Sequence, residues 1–300
     1  MRRLCIVVHP TRAIDSPLAT VREWAEARGI EVVQLRAGAQ PAREVAPAGD
    51  AGACDLVVAI GGDGTVLTAL RAAAASGVPV LGVACGSLGV LTVVAGSELA
   101  AALDAFEAGA WIPRELPCVD VAVDGESVAW GMNDFVLVRR AGQQLMVDVT
   151  IGGELYARIA GDGMVVATPL GSSAYSMAAG GPLLVMGTDA LVVTPLVVHG
   201  GYAPPVVVPS ALEVTLDALP GFGGFDVEID GQAQELEGTR FTARLKPARA
   251  TLVTVGHPGL GLTALRARGL IADSPRVLAR DVRAARVREV GSAPGPAGSV

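Results

Sequence analysis

The first third of the chain alternates short apolar runs with stretches of helical period. Leu4–Val8 is an unbroken apolar run that predicts a buried strand. Ser16–Arg28 sets Leu18, Val21, Trp24 and Ala25 on one face and ends at Gly29, which predicts a helix. Glu31–Leu35 and Pro79–Val83 read as further strands, and Val66–Ala75 as an Ala/Leu helix stopped by Ser76-Gly77. Asp55–Ile60 lacks polar alternation, as a strand covered on both faces of a parallel sheet does. Strands alternating with helices predict a three-layer α/β unit.

The period changes after Pro113. Val119–Val123 and Ser127–Gly131 flank Asp124-Gly125, a hairpin signal, and Leu145–Ile151 and Glu154–Ile159 flank Gly152-Gly153. Val206–Val208, Leu212–Leu216, Phe225–Ile229 and Phe241–Leu245 add short strands, with one helical stretch near Ser172–Ala179. From Gly256 the chain turns helical and basic, and 291–300 carries only Gly, Ala, Ser, Pro and a final Val. The expected organisation is an α/β N-terminal domain with a parallel sheet (1–114 plus 258–288), a mainly-β C-terminal domain (115–257) and a disordered tail (289–300).

Composition narrows the function. A net charge of −7 argues against a general nucleic-acid binder. The stretches 72–97, 163–188 and 190–212 carry no Asp, Glu, Lys or Arg, yet each is broken by glycine and proline, so no membrane span is expected. Met1–Val8 is too short for a secretory leader. Cys5, Cys54, Cys85 and Cys118 form no C-x-x-C pair and read as buried apolar groups in a reducing, cytoplasmic setting. His9, His199 and His257 are scattered, so no direct metal ligation is assigned.

The clearest chemistry lies in Gly61-Gly62-Asp63-Gly64-Thr65, between a buried strand and a helix. Glycines turn tightly and expose backbone N–H groups, and the helix adds its positive end, so the loop suits a phosphate. An aspartate there repels phosphate, and makes sense as a proton acceptor or an organiser of Mg²⁺. The structural alternative is a cap on the helix that begins near Val66. Downstream, Asn133-Asp134 pairs an amide with a carboxylate, as a diol requires, although a polar turn would use the same residues. Asp162 stands between Gly161 and Gly163, where close approach of a ligand is possible. Ser172, Ser173 and Tyr175 open a helix after Gly171.

Taken together, Gly61–Thr65, Met132-Asn133-Asp134-Phe135, the long run Gly161–Ser176 with Gly180-Gly181-Pro182, Asp230-Gly231-Gln232 and Pro79–Leu91 resemble the NAD kinase family over most of residues 1–280. The lipid kinases that share the glycine loop follow it with Asn-Glu, whereas Val66-Leu67-Thr68 stands here. The resemblance implies an α/β domain and a β-rich domain, with a final helical segment returning to the first. It implies phosphorylation of the 2′-hydroxyl of the adenosine ribose of NAD, with ATP or polyphosphate as donor, a divalent cation such as Mg²⁺, and a homo-oligomer, dimer or tetramer. It gives Asp63 the role of base or Mg²⁺ organiser, Gly61, Gly62, Gly64 and Thr65 the phosphates, and Asn133 and Asp134 a ribose. Asp162 would reach the nicotinamide side, and Ser173, Ala174 and Tyr175 would line the adenosine half. The chain departs from the family pattern at Ala84, Val90, Asp134, Ser173 and Pro204, where Asn, Phe, Glu, Thr and Arg are common. Those departures leave open a member that binds a nucleotide without transferring phosphate.

Overall fold

The computed structural model describes residues 1–35, 43–86, 88–140, 144–219, 224–256 and 261–280. The expected tail and residues 281–288 lie outside this range.

The N-terminal part forms as its pattern predicts. Strands β1 (Arg3–Val8), β2 (Glu31–Gln34), β3 (Leu56–Gly61) and β4 (Val80–Ala84) are parallel neighbours in the order β2-β1-β3-β4. Helix α1 (Asp15–Glu26) buries Leu18, Val21, Trp24 and Ala25. It shares a core with Leu4, Ile6, Leu56, Val58, Ile60, Leu81 and Val83. Helix α2 (Asp63–Ala73) covers the other face, where Val66 lies against Gly82. After the two-residue β5 (Val94–Ala95), helix α3 (Leu99–Glu107) packs beside α1, and the Trp24 indole N–H donates to Asp104 at 2.7 Å. The sequence pattern predicts no helix there, because nine residues hold only about two and a half turns of period.

The remainder is antiparallel. Strands β6 (Ile112–Val123) and β7 (Glu126–Gly131) meet at a turn where Asp124 and Gly125 both have positive φ, 50° and 85°. Strands β8 (Asp134–Arg139), β9 (Leu145–Ile151) and β10 (Glu154–Ala167) follow, then the four-residue α4 (Tyr175–Ala178). Strands β11 (Ala190–Val198), β12 (Val206–Pro209), β13 (Val214–Ala218), β14 (Phe225–Ile229), β15 (Gln232–Gln234) and β16 (Arg240–Thr254) complete the part. Its core gathers Phe135, Leu137, Val147, Met164, Leu191, Leu216 and Phe241. The sheet is continuous: β16 pairs with β6 and β13 and also meets β4 in parallel at Leu252↔Val80.

Several elements differ from expectation: β6 starts at Ile112 rather than Val119, β10 runs to Ala167 rather than Ile159, and the sequence pattern predicts no strand at β11. Helix α2 starts at Asp63 rather than near Val66, with Gly62 as its N-cap. Strand β13 starts at Val214, because Leu212 belongs to the preceding turn. Strand β16 runs nine residues past Leu245, because Lys246–Ala250 is absorbed as a bulge with Ala248 at φ 51°. The chain has a small C-terminal helix, α5 (Leu262–Ala267), in a separate unit that begins at Leu262. No helix among the described residues is long and apolar enough to cross a membrane.

Gly161 and Gly163 serve strand packing. A Cβ on Gly163 would fall 2.1 Å from the Leu137 carbonyl oxygen, and one on Gly161 would fall 2.6 Å from that of Val197. These glycines let β10 lie between β8 and β11. Gly163→Ala, at φ +156° against backbone, is expected to cost about 1–3 kcal/mol. Thermal melting should show a fall of roughly 2–4 °C per kcal/mol; an unchanged midpoint would refute the packing role.

Candidate functional site

The carboxyl ends of β1, β3 and β4 open on one edge, the usual ligand crevice of a parallel sheet. At this edge Gly61-Gly62 passes straight from β3 into α2. A Cβ on Gly61 would fall 2.3 Å from the Thr65 hydroxyl oxygen, so the turn admits only glycine while Thr65 packs beneath it.

Asp63 is the first residue of α2, yet it caps a different segment. Its Oδ1 accepts from the backbone N–H of Leu91 at 3.0 Å and of Thr92 at 3.2 Å, and its Oδ2 from Val90 at 3.2 Å. The Gly89 N–H donates to the Thr92 hydroxyl at 2.6 Å and closes this loop. Gly89 is required, since a Cβ would lie 2.1 Å from Asp63 Oδ1. The carboxylate therefore joins the phosphate loop to the segment after β4, and the simple helix cap that the sequence allows is not what it forms.

A second cluster is built around Asp230, in the left-handed turn between β14 and β15 (φ 50°, with Gly231 at 71°). Its side chain is 1 % exposed. It accepts from the backbone N–H groups of Met132, Asn133 and Asp134 at 3.0, 2.7 and 3.2 Å. Arg71, in the last turn of α2, donates to it at 3.0 Å. The loop at 132–134 is also tied to the long motif. Thr168 donates from its hydroxyl to Met132 O and from its backbone N–H to Asn133 O, at 2.5 and 2.8 Å. A Cβ on Gly171 would sit 1.9 Å from that same Asn133 oxygen.

Asp134 is 4 % exposed, and among the described residues no side-chain or backbone donor reaches its carboxyl. Burial, then the neighbouring Asp230 and Glu228 charges, push it up to about 7. The Tyr175 phenol is raised by its partial burial and by Glu228, Asp162 and Asp134, so these carboxylates share its surroundings. Asp162 pairs with Arg139 at 2.5 Å and lies 3.8 Å from His199 Nε2. Ser172 is spent on structure, donating to Pro169 O and accepting from Leu184 N–H, and Ser173 donates to Leu170 O at 3.0 Å. Ala174 precedes α4 with φ −107° and ψ −119°.

Of the residues picked from the sequence, Asp134 and Asp162 lie within electrostatic reach of Tyr175, and Asn133 adjoins Asp134, so these four form one acidic cluster. Asp63 and its loop form a second group at the other end of α2, about 12 Å along the helix from Arg71 at 1.5 Å per residue. Sequence reasoning misses Arg71, Arg139 and Glu228. Arg71 is a lone charge in an apolar helix pattern, while Arg139 beside Arg140 and Glu228 between Asp226 and Asp230 read as the solvated positions of ordinary strands. Among the described residues no cluster of three or more His, Cys, Asp or Glu could hold a metal by itself.

Comparison with known proteins places the chain in a family. Residues 11–111 match the ATP-NAD kinase N-terminal domain, and residues 132–237 match the ATP-NAD kinase C-terminal domain. An NAD kinase of Delftia acidovorans is 33 % identical over 252 residues, covering 80 % of this chain and 83 % of that protein. NAD kinase 1 of Streptomyces avermitilis is 31 % identical, covering 97 % and 93 %. The fold matches yeast NADH kinase complexed with NADH (TM-score 0.74, 20 % identity, 91 % and 89 % covered). It also matches an NAD kinase from Archaeoglobus fulgidus in complex with ATP (0.69, 20 %, 90 % and 100 %). Two domain profiles matched in order, with relatives above 30 % identity over most of their length, show that the chain belongs to the ATP-NAD kinase family.

Proposed function

We propose that the chain phosphorylates the 2′-hydroxyl of the adenosine ribose of NAD, giving NADP, with ATP or polyphosphate as donor. The observation that carries the reading is the strut through α2: the helix that begins with Asp63 places Arg71, in its last turn, on Asp230, which sets the Asn133-Asp134 loop. One rigid element therefore fixes the spacing between a phosphate loop and the Asn133-Asp134 pair, whose amide and carboxylate would suit a ribose diol.

Phosphoryl transfer asks mainly for positioning and charge neutralisation. Gly61, Gly62, Gly64 and Thr65 would receive the donor phosphates. Asp63 would orient the attacking hydroxyl and accept its proton, the hydroxyl joining the backbone amides of 90–92 at that carboxylate. Asn133 and Asp134 would hold the ribose, Asp162 would face the nicotinamide half, and Ser173, Ala174 and Tyr175 would line the adenosine half. Mg²⁺ fits this donor set, because it keeps its waters and takes one or two carboxylates plus substrate phosphates. Asp63 is the carboxylate of the loop that would reach it, and the bound ion would neutralise phosphate charge. We place the domain division near residue 115. Four cysteines without a disulfide suit a cytoplasmic setting. The expected homo-oligomer rests on family resemblance.

Asp63→Asn is expected to cut kcat by about 10²–10⁴-fold, the scale of a positioned base. The amide nitrogen would also face a backbone N–H of the 90–92 segment, so a loss of about 1–3 kcal/mol in stability should accompany it. NADP formation from NAD, Mg²⁺ and ATP measures the first effect, and near-normal turnover would remove Asp63 from the mechanism. Nucleotide binding by the wild-type chain without turnover would make it a sensor instead.

Asp134 gives a second test. Its ordinary value is 3.8 and its folded value about 7, so the folded protein binds the extra proton between them. The contribution to stability is full below about pH 4 and is lost as pH rises through 7. Ribose hydroxyls donating to the carboxylate would favour the ionised form. NAD binding near pH 7 should therefore release a fraction of one proton, read by titration calorimetry in buffers of different ionisation enthalpy. Asp134→Asn should abolish the release and stabilise the unliganded protein at pH 8. Equal proton release by both proteins would refute this role.

A further inference from the structure

The crevice at the carboxyl edge also holds a cation, one with no part in the chemistry assigned so far. Arg12 follows β1 in the exposed loop 11–13. Its guanidinium lies over the phosphate loop: a Cβ on Gly62 would stand 3.1 Å from Nη1 and 3.7 Å from Nη2. Nη1 also makes a long contact of 3.5 Å with the carbonyl oxygen of Cys85, just past β4. One side chain thus spans the ends of the three central parallel strands.

The loop that carries Arg12 is held in place. The backbone N–H groups of Thr11 and Arg12 both donate to His9 Nδ1 at 3.2 Å. The His9 backbone N–H donates to Ile60 O at 2.9 Å, which fastens the loop to β3. Arg43 grips it from the other side, donating to Arg12 O at 3.3 Å and pairing with Asp15 at 2.7 Å. Accepting two amides requires Nδ1 to be unprotonated. Burial and the Arg12 charge both lower the His9 pKa, consistent with a neutral ring.

Arg12 itself makes no ion pair among the described residues, although most of its neighbouring arginines do: Arg3 with Glu31, Arg28 with Asp104 and Glu107, Arg43 with Asp15. A planar guanidinium held over a glycine turn at a helix N-terminus matches the geometry of a phosphate oxyanion pair. We propose that Arg12 is a donor-binding residue, gripping the phosphoanhydride chain of ATP or polyphosphate above Gly62, with His9 as the residue that positions it.

This rests on the kinase reading, and the test separates the two. Steady-state kinetics of NADP formation with wild type, Arg12→Ala and Arg12→Lys would be run at varied ATP and again at varied NAD. Competitive inhibition by inorganic tripolyphosphate, a bare phosphoanhydride chain, would be measured alongside. Arg12→Ala should raise KM for ATP by about tenfold or more, with KM for NAD within twofold, and Arg12→Lys should recover part of the loss. The Ki of tripolyphosphate should weaken in parallel. His9→Ala should shift KM for ATP in the same direction and by less, since Arg12 stays but its loop loosens. An Arg12→Ala enzyme with unchanged KM for ATP would overturn the proposal. So would a rise in KM for ATP without weaker tripolyphosphate inhibition, which would put Arg12 on the nucleoside. A wild-type chain that forms no NADP would instead sink the kinase reading; binding of tripolyphosphate to wild type and Arg12→Ala by calorimetry would still decide the role of Arg12, and equal affinities would overturn it.

Discussion

The buried carboxylate of Asp230 is the interaction on which the 132–134 loop and its hold on α2 depend. A charge with its side chain 1 % exposed is tolerable only when paired and fully hydrogen-bonded. Here three successive backbone amides and one guanidinium satisfy it. The same bonds have a structural consequence. They fix the chain direction at residues 132–134, anchor that loop to the turn after β14, and hold the C-terminal turn of α2 against both. Removing one partner would leave a buried charge uncompensated and loosen the joint between the α/β and β-rich parts of the sheet.

That joint explains why Asp134 is electrostatically uncomfortable. It cannot share the donors, because Asp230 has taken the amides of its own loop. It is left buried beside Asp230 and Glu228, with its acid form favoured up to about pH 7. A group in that condition gains when a ligand brings hydroxyl donors. The cost of burying this carboxyl and the diol affinity proposed for Asn133-Asp134 then have one cause. Trp130 adds a further support, with the Arg249 guanidinium 4.5 Å and the Arg71 guanidinium 5.6 Å from its ring centre.

At the other end of α2 the chemistry is organised by backbone. Asp63 draws the amides of Val90, Leu91 and Thr92 toward the phosphate loop, and at Gly61, Gly82 and Gly89 any side chain would collide. Val90 stands where a larger aromatic is common in the family. Its backbone, rather than its side chain, is what meets Asp63, so the substitution leaves this joint intact.

Local pattern alone was enough for the parallel strands β1 to β4 and for α1, because β3 has no polar alternation and α1 has a clean apolar face, whereas the short α3 gave too little period to read. It was enough for the antiparallel hairpins too, since Asp124-Gly125 and Gly152-Gly153 take positive φ. The glycine loop and the long motif stood out for a related reason: glycines clustered between a strand and a helix mark backbone that must turn tightly or be approached closely. Partnership was beyond that pattern. Asp63 could have been a helix cap, whereas the fold brings residues 90–92 to it. Gly161 and Gly163 could have cleared space for a ligand, whereas neighbouring strands fill that space. Nothing along the chain signalled that Arg71 would meet Asp230, 159 positions away, or that Arg12 would lie over Gly62. Hydrophobic period and turn chemistry are local and can be read residue by residue. The placement of a charge beside its counterpart depends on contacts between distant segments, which only the packed sheet sets.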